Sequence, residues 1–385
     1  MLWNSKNGAV VQRLICAIFF ILFSVLYLQN YQDSILAVTQ HVLSHGATHY
    51  NSIVGTVLIT LVLQLVQVGV CAGTRLHGQF HALTYFPSLL LLAMLTDVSP
   101  HVDIEGYLGR WLWLLPLLIV VFVVAVWVCR QFDFLEQVPN GRCSPLQTLW
   151  LNMLLMLVMT SATSAVGCSD KVFHMRMRME SHLLAGRFAA ATGVGVKEAA
   201  TDSSLTMLRI WALSEQHALG ERLFEYPLTG RSDAMLPNGS SVKLMMVPES
   251  RLYRHLGVVF RQKLRPATYL AKLHEKRWAT PAAHDWLLCA CLLDKRLDDF
   301  VRLLPRYYKV NASLPKHYRE ALTLYTHLHA HPYIVYHEAV MDADYDDYTE
   351  LEARYANSPK RYAALRDSYG KTYWFYYDYL ARRDS

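Results

Sequence analysis

The chain has 385 residues, 53% hydrophobic and 18% charged, with a formal net charge of +6. Of its 37 basic and 31 acidic residues, six of each lie in 1–169, which leaves 31 against 25 in 170–385. A neutral, oily first half joined to a charged second half excludes a single soluble domain, a disordered chain and a small disulfide-stapled module.

A hydrocarbon core of about 30 Å takes roughly 20 apolar residues as helix, because no water is present there to satisfy the backbone. Five stretches have this character: 10–28, 53–73, 80–96, 111–129 and 146–167. The first runs through LICAIFFILFSVLYL beside Lys6 and Arg13 and is not followed by a small-residue cleavage site, so it reads as an anchor and not a removable signal. The second carries Gln64 and Gln67, suited to bonding a neighbouring helix. Pro87 interrupts the third. Trp111, Trp113 and Trp127 lie near the ends of the fourth, where amphipathic rings settle among headgroups. No Asp, Glu, Lys or Arg stands at the centre of a span, which disfavours a transporter or pump.

Lys6, Arg13, Arg75, Arg130 and Arg142 fall on one side of these spans and Arg110 on the other, so the N-terminus is expected inside. Five crossings then put 170–385 outside, in the periplasm of a bacterial inner membrane. Lys171, Arg176 and Arg178 pull the other way, but long domains translocate largely regardless of charge.

From residue 170 the pattern becomes one amphipathic helix after another: 205–224, 249–262, 267–276, 281–293, 297–307 and 315–328. Asp202, Ser203 and Ser204 are suited to capping the first, and Pro281 and Pro315 stand where a helix starts. The chain is therefore expected to be all-α: a transmembrane helix bundle over 1–169, then a soluble domain over 170–385. Short connections between helices of 10–15 residues predict helical hairpins stacked as a tetratricopeptide-like α-solenoid, although the 34-residue signature is absent.

Tyr348, Tyr355, Tyr362, Tyr369 and Tyr376 recur every seven residues, which returns a helix to within about 20° of one face. Pro359 and Gly370 divide the run, which argues against a coiled coil. The stripe reads either as packing against earlier helices or as an aromatic groove for a partner. His41, His45 and His49, four apart, could face one way and hold a metal or haem, but Gly46 weakens that helix and no carboxylate partner is evident. The acidic run from Asp342 to Glu352 lacks the glycine and glutamate of a calcium loop. The cysteines read as buried small hydrophobes. No phosphate loop, HExxH, nucleophile elbow or Ser/His/Asp motif appears. No basic run of the nucleic-acid kind is evident either, and no cofactor is expected.

The segments THYNSIVGTVLITLVLQLVQVGV, FHALTYFPSLLLLAMLTDVS, ALGERLFEYPLTG, SLPKHYREALTLYTHL and VYHEAVMDADYDDY resemble an uncharacterised family of multi-pass membrane proteins of Bacteroides-group bacteria, a domain of unknown function. The resemblance implies a membrane block followed by a helical, repeat-like domain and carries over no catalytic residue. Two functions stay open: a non-enzymatic scaffold in the lipid bilayer that recruits a protein partner through 170–385, and a membrane enzyme of envelope glycan or lipid assembly using Asp33, Asp97, Asp103 or Glu105.

Overall fold

The computed structural model describes residues 5–100, 109–136, 145–260, 262 and 264–380. Among them it is all-helical, without a strand. The chain divides into two compact units, Met1–Asp170 and Lys171–Ser385.

In the first unit, helix Ser5–Leu26 continues as a π-helical turn, Tyr27–Tyr31, and is followed by Asp33–Leu43 and Ser52–Thr74. A 3-10 segment, Gly78–Tyr85, then leads into Phe86–Thr96, and Trp111–Glu136 and Pro145–Val166 complete the unit. Among the described residues, five stretches are long and apolar enough to cross a membrane: Val10–Tyr31, Ser52–Thr74, Gly78–Thr96, Trp111–Gln131 and Leu146–Val166. The third is irregular for a reason other than its proline. The chain bends at Phe80 (φ −107°, ψ 15°), and Pro87 sits in the first turn of Phe86–Thr96, where a missing N–H costs no helical bond.

This unit hides its polar residues and shows its apolar ones. Leu58, Trp150 and Trp113 are 60%, 75% and 81% exposed, while Gln12, Gln67, Thr84 and Asn152 are buried. Water would enforce the reverse order; lipid tails do not. The buried amides bond across helices. Asn152 Nδ2 and Gln12 Nε2 both donate to the Gly78 carbonyl, at 3.0 and 2.7 Å, and Asn152 Oδ1 accepts from the Ala82 N–H at 2.6 Å. Gln67 Nε2 donates to Thr84 Oγ1 at 3.0 Å, and Ser88 Oγ to the Leu63 carbonyl at 2.7 Å. A second knot joins Gln32 Nε2 to the Cys168 carbonyl and to the Tyr27 hydroxyl, both at 3.1 Å. Gly167 passes so close that a Cβ would run into the Tyr27 hydroxyl. Of the three tryptophans assigned to the headgroup level, Trp113 and Trp127 face outward. Trp111 does not: it is 3% exposed and its indole donates to Asp97 Oδ2 at 2.8 Å.

The second unit is ordered conventionally around Trp211, Trp286 and Trp374, all fully buried. Its helices include Lys171–Leu184, Phe188–Gly193, Ser203–Glu215, Leu219–Arg222, Glu249–Leu256, Pro266–Glu275, Pro281–Leu293, Leu297–Leu303, Lys316–Leu328, Ala339–Arg354 and Ser358–Tyr369. Asp202 caps Ser203–Glu215 through its carboxylate and the Leu205 N–H.

The stretch expected as one helix over 205–224 is broken at His217, which adopts φ 54°. The same turn recurs. Gly186, Arg277 and Lys295 stand at φ 69°, 56° and 58°. In each case the following N–H reaches five residues back: Arg187 to His182, Ala218 to Leu213, Trp278 to Leu273 and Arg296 to Cys291, at 2.8–2.9 Å. This is the Schellman closure, which satisfies carbonyls that a helix end leaves orphaned. Likewise the 249–262 expectation stops at Leu256, because Gly257 leaves at φ 149°.

The irregular segment 226–248 is held by buried charges. Glu180 Oε2 accepts three successive N–H groups, from Met245, Met246 and Val247, at 2.9, 2.7 and 3.3 Å. Burial pushes this carboxyl's pKa up, against those three bonds and nearby Arg176. Arg209, fully buried, donates to the Pro227 carbonyl at 2.7 Å and to Thr201 Oγ1 at 3.0 Å.

Candidate functional site

The residues singled out by spacing do not converge. His41 ends the Asp33–Leu43 helix, and its ring folds over Gly46, whose added Cβ would meet it at 3.2 Å. His45 occupies a left-handed turn at φ 50°, and both His45 and His49 are exposed. Burial lowers the His41 pKa, with His49 adding to the effect. Among the described residues no three His, Cys, Asp or Glu side chains group as a metal site. Asp97 is taken up by Arg110 Nε at 2.9 Å and by the Trp111 indole, an anchor for the start of the Trp111–Glu136 helix. Asp33 keeps one buried carboxylate oxygen without a hydrogen bond. Asp103 and Glu105 lie outside the described residues.

The tyrosine ladder turns inward at most of its rungs. The Tyr348 hydroxyl donates to Asp378 at 2.8 Å, and its ring lies 5.5 Å from Tyr369 and 5.9 Å from Trp374. Tyr362 packs on Phe375 at 5.4 Å. Tyr376 lies 4.7 Å from Phe224 and donates to the Leu293 carbonyl at 3.0 Å. Tyr355 contributes by its backbone, its carbonyl accepting from Arg361 Nε at 2.8 Å.

Tertiary packing assembles three constellations that no sequence spacing announces. In the first, Ser214 Oγ lies 2.9 Å from His255 Nε2, and His255 Nδ1 lies 3.4 Å from Glu215 Oε1. The Trp211 indole donates to that same oxygen at 3.0 Å. Serine, imidazole and carboxylate stand in the order of an acyl-transfer relay. Two features make it a strut. Ser214 is 3% exposed, and it sits in the last turn of its helix, whose negative end opposes the oxyanion that acyl transfer creates. Burial lowers the His255 pKa, so the ring is neutral and its lone pair and N–H tie the Ser203–Glu215 helix to Glu249–Leu256.

In the second, fully buried His317 accepts the Phe224 N–H on Nε2 at 3.2 Å. That bond fixes the proton on Nδ1, which donates to Glu320 Oε2 at 2.8 Å. The same carboxylate oxygen accepts the Tyr373 N–H at 2.7 Å. The nitrogen a catalytic base would use is therefore occupied by backbone. In the third, Asp285 Oδ1 accepts from the Tyr308 and Tyr318 hydroxyls at 2.7 and 2.9 Å, and burial raises its pKa. Gly220 is required beside it, because a Cβ there would stand 2.6 Å from the Tyr318 ring.

Two features of the second unit are open among the described residues. A cavity of about 290 Å³ lies at the Glu249–Leu256 and Pro266–Glu275 helices, lined by Glu249, Tyr253, Val259, Phe260, Leu264 and Tyr269 among others. Along 328–340, Leu328, Tyr333, Val335 and Val340 are exposed while Tyr336 is buried and Ile334 packs on the core. The chain between the two helices there is irregular, with bends at 330–331 and 333–334, and no backbone hydrogen bond among the described residues uses Val335.

Residues 259–380 match the model of a family described as a family of unknown function, DUF6057. No curated protein and no solved structure matches the chain.

Proposed function

We propose that this is an integral protein of the bacterial inner membrane whose 170–385 domain recruits a protein partner at the outer face. The observation that carries the membrane part is the inverted order of the first unit, with amides buried and leucine, valine and tryptophan exposed. Recruitment is favoured over catalysis because the constellations that resemble active sites are closed struts, whereas an apolar ridge is open. Tyr333 and Val335 are exposed beside core-packed Ile334 and buried Tyr336, so the ridge offers a partner two apolar side chains and the free backbone groups of Val335. The four recurring left-handed turns fit helical hairpins of the tetratricopeptide kind, an architecture that presents such surfaces.

A photo-crosslinking residue at Val335 in native membranes is expected to give one discrete product, absent when the same residue replaces exposed Glu350. Products that do not depend on position overturn recruitment at this ridge. Reporter fusions after Asp170 and at Ser385 are expected to read outside; a cytoplasmic signal overturns the topology. The second reading, an enzyme of envelope glycan or lipid assembly, rests on the unpaired buried oxygen of Asp33. It predicts that Asp33→Ala abolishes complementation of a knockout phenotype, and it fails if that variant complements.

A further inference from the structure

The net charge of the chain is concentrated at one hairpin. Between residues 249 and 277 there are eight Lys and Arg against Glu249 and Glu275, a surplus of six. Residues 170–248 hold nine basic against eight acidic residues and 278–385 hold 14 against 15, so the rest of the chain is neutral. The Glu249–Leu256 and Pro266–Glu275 helices themselves carry little of it, with Arg251 and Arg254 against Glu249 in one and Lys272 against Glu275 in the other; Arg265, Lys276 and Arg277 lie just outside the helices, and Arg261 and Lys263 lie outside the described residues. Leu252, Tyr253, Leu256, Tyr269, Leu270 and Leu273 face the core. Arg254, Arg265, Lys272 and Arg277 are exposed, and none of them forms an ion pair among the described residues. Arg251 is held by the Leu184 carbonyl at 3.2 Å and is half-buried.

Apolar groups are exposed on the same hairpin. Val258, Val259 and Trp278 are 37%, 45% and 45% exposed, and Lys276 Nζ lies 4.8 Å over the Trp278 ring. The cavity floored by Tyr253, Phe260 and Tyr269 opens here. Uncompensated cations interleaved with aliphatic and indole groups match a bilayer interface, where charge meets phosphate and apolar side chains enter the acyl boundary. A nucleic-acid surface would leave the two valines without a partner.

We propose that the 249–277 hairpin docks on an anionic bilayer surface through Arg254, Arg265, Lys272 and Arg277, with Val258, Val259 and Trp278 entering the interface. This rests on the membrane reading of the first unit, which keeps a bilayer within reach of the chain.

The test uses the full-length protein in nanodiscs of phosphatidylcholine alone and of phosphatidylcholine with phosphatidylglycerol, read by hydrogen exchange over peptides covering 257–278. Exchange is expected to slow by about tenfold or more in the anionic disc, to revert at high salt, and to be unchanged elsewhere in 170–385. The triple variant Arg254→Glu, Arg265→Glu, Lys272→Glu, checked for unchanged exchange in the core peptides, is expected to lose the effect. Val258→Ser with Val259→Ser is expected to weaken it without abolishing its salt dependence. Equal exchange in the two discs overturns the proposal. So does protection in the neutral disc by added RNA or polyglutamate that exceeds protection by the anionic disc, because either result makes the hairpin's partner an acidic macromolecule. Alkaline carbonate extraction of cell membranes separates the two layers of argument: release of the chain overturns the membrane reading itself, whereas retention with equal exchange overturns only the docking.

Discussion

The two units bury polar groups of different kinds, and the contrast shows how a helical protein solvates its interior. The first unit hides neutral groups: Gln12, Gln32, Gln67, Asn152 and a series of Thr and Ser. The second hides charges: Glu180, Arg209 and Glu320. A buried ion needs several dipoles aimed at it. Long apolar helices satisfy nearly all their own N–H and C=O groups and have none to spare, so amides and hydroxyls, which need one or two partners, predominate among the polar groups buried there. The second unit is interrupted by irregular segments whose free backbone groups do the solvating. Glu180 is held by the N–H groups of 245–247, and Arg209 by carbonyls including that of Pro227. Loops in the second unit are thus a condition for its charged core.

The sharpest way to break this comparison is in the second unit's interior. Glu180→Leu removes the acceptor of three N–H bonds and is expected to destabilise by about 3–5 kcal/mol, measured by denaturant unfolding. Tyr348→Ala is expected to cost about 3–5 kcal/mol, because it empties a buried aromatic site. Tyr355→Ala, on the same ladder, is expected to cost less than about 1 kcal/mol; equal costs would return the ladder to a surface role. A third contrast compares the outer faces. Leu61→Lys, 53% exposed on its helix, is expected to lower membrane insertion by about 3 kcal/mol. Val310→Lys, 37% exposed in the second unit, is expected to change stability by less than about 0.5 kcal/mol.

Smaller effects sharpen the comparison. Burial holds the folded His255 pKa below its unfolded value of about 6.5, so its contribution to stability is full above that pH and is lost as pH falls below it. His255→Gln is expected to flatten that part of the stability profile relative to wild type. His217→Gly, at φ 54°, is expected to stabilise by about 1 kcal/mol, seen as a higher Tm.

Much of the architecture is legible in the sequence. The five apolar stretches are found within a few residues of their structural limits, because a run of some 20 apolar side chains is a local property that lipid reads directly. Helix starts at Asp202 and Pro281 are equally local. Helix ends are less so. His217 and Lys295 carry no glycine signal, and their left-handed turns are visible only in the backbone closures Ala218 N–H to Leu213 and Arg296 N–H to Cys291. The concentrated charge at 249–277 is present in the composition, yet it becomes visible only when the hairpin's limits are known.

The sequence by itself determined where apolar length ends and amphipathic period begins, and hence two helical regions of different character. Only tertiary structure decided the fate of individual polar groups. Ser214, Glu215 and His255 meet because the ends of two helices come together, and a hydroxyl, a carboxylate and an imidazole have no preferred partner until folding brings them within 3.4 Å. The same meeting buries Ser214 at a helix's negative end, which makes of a catalytic order of residues a structural joint.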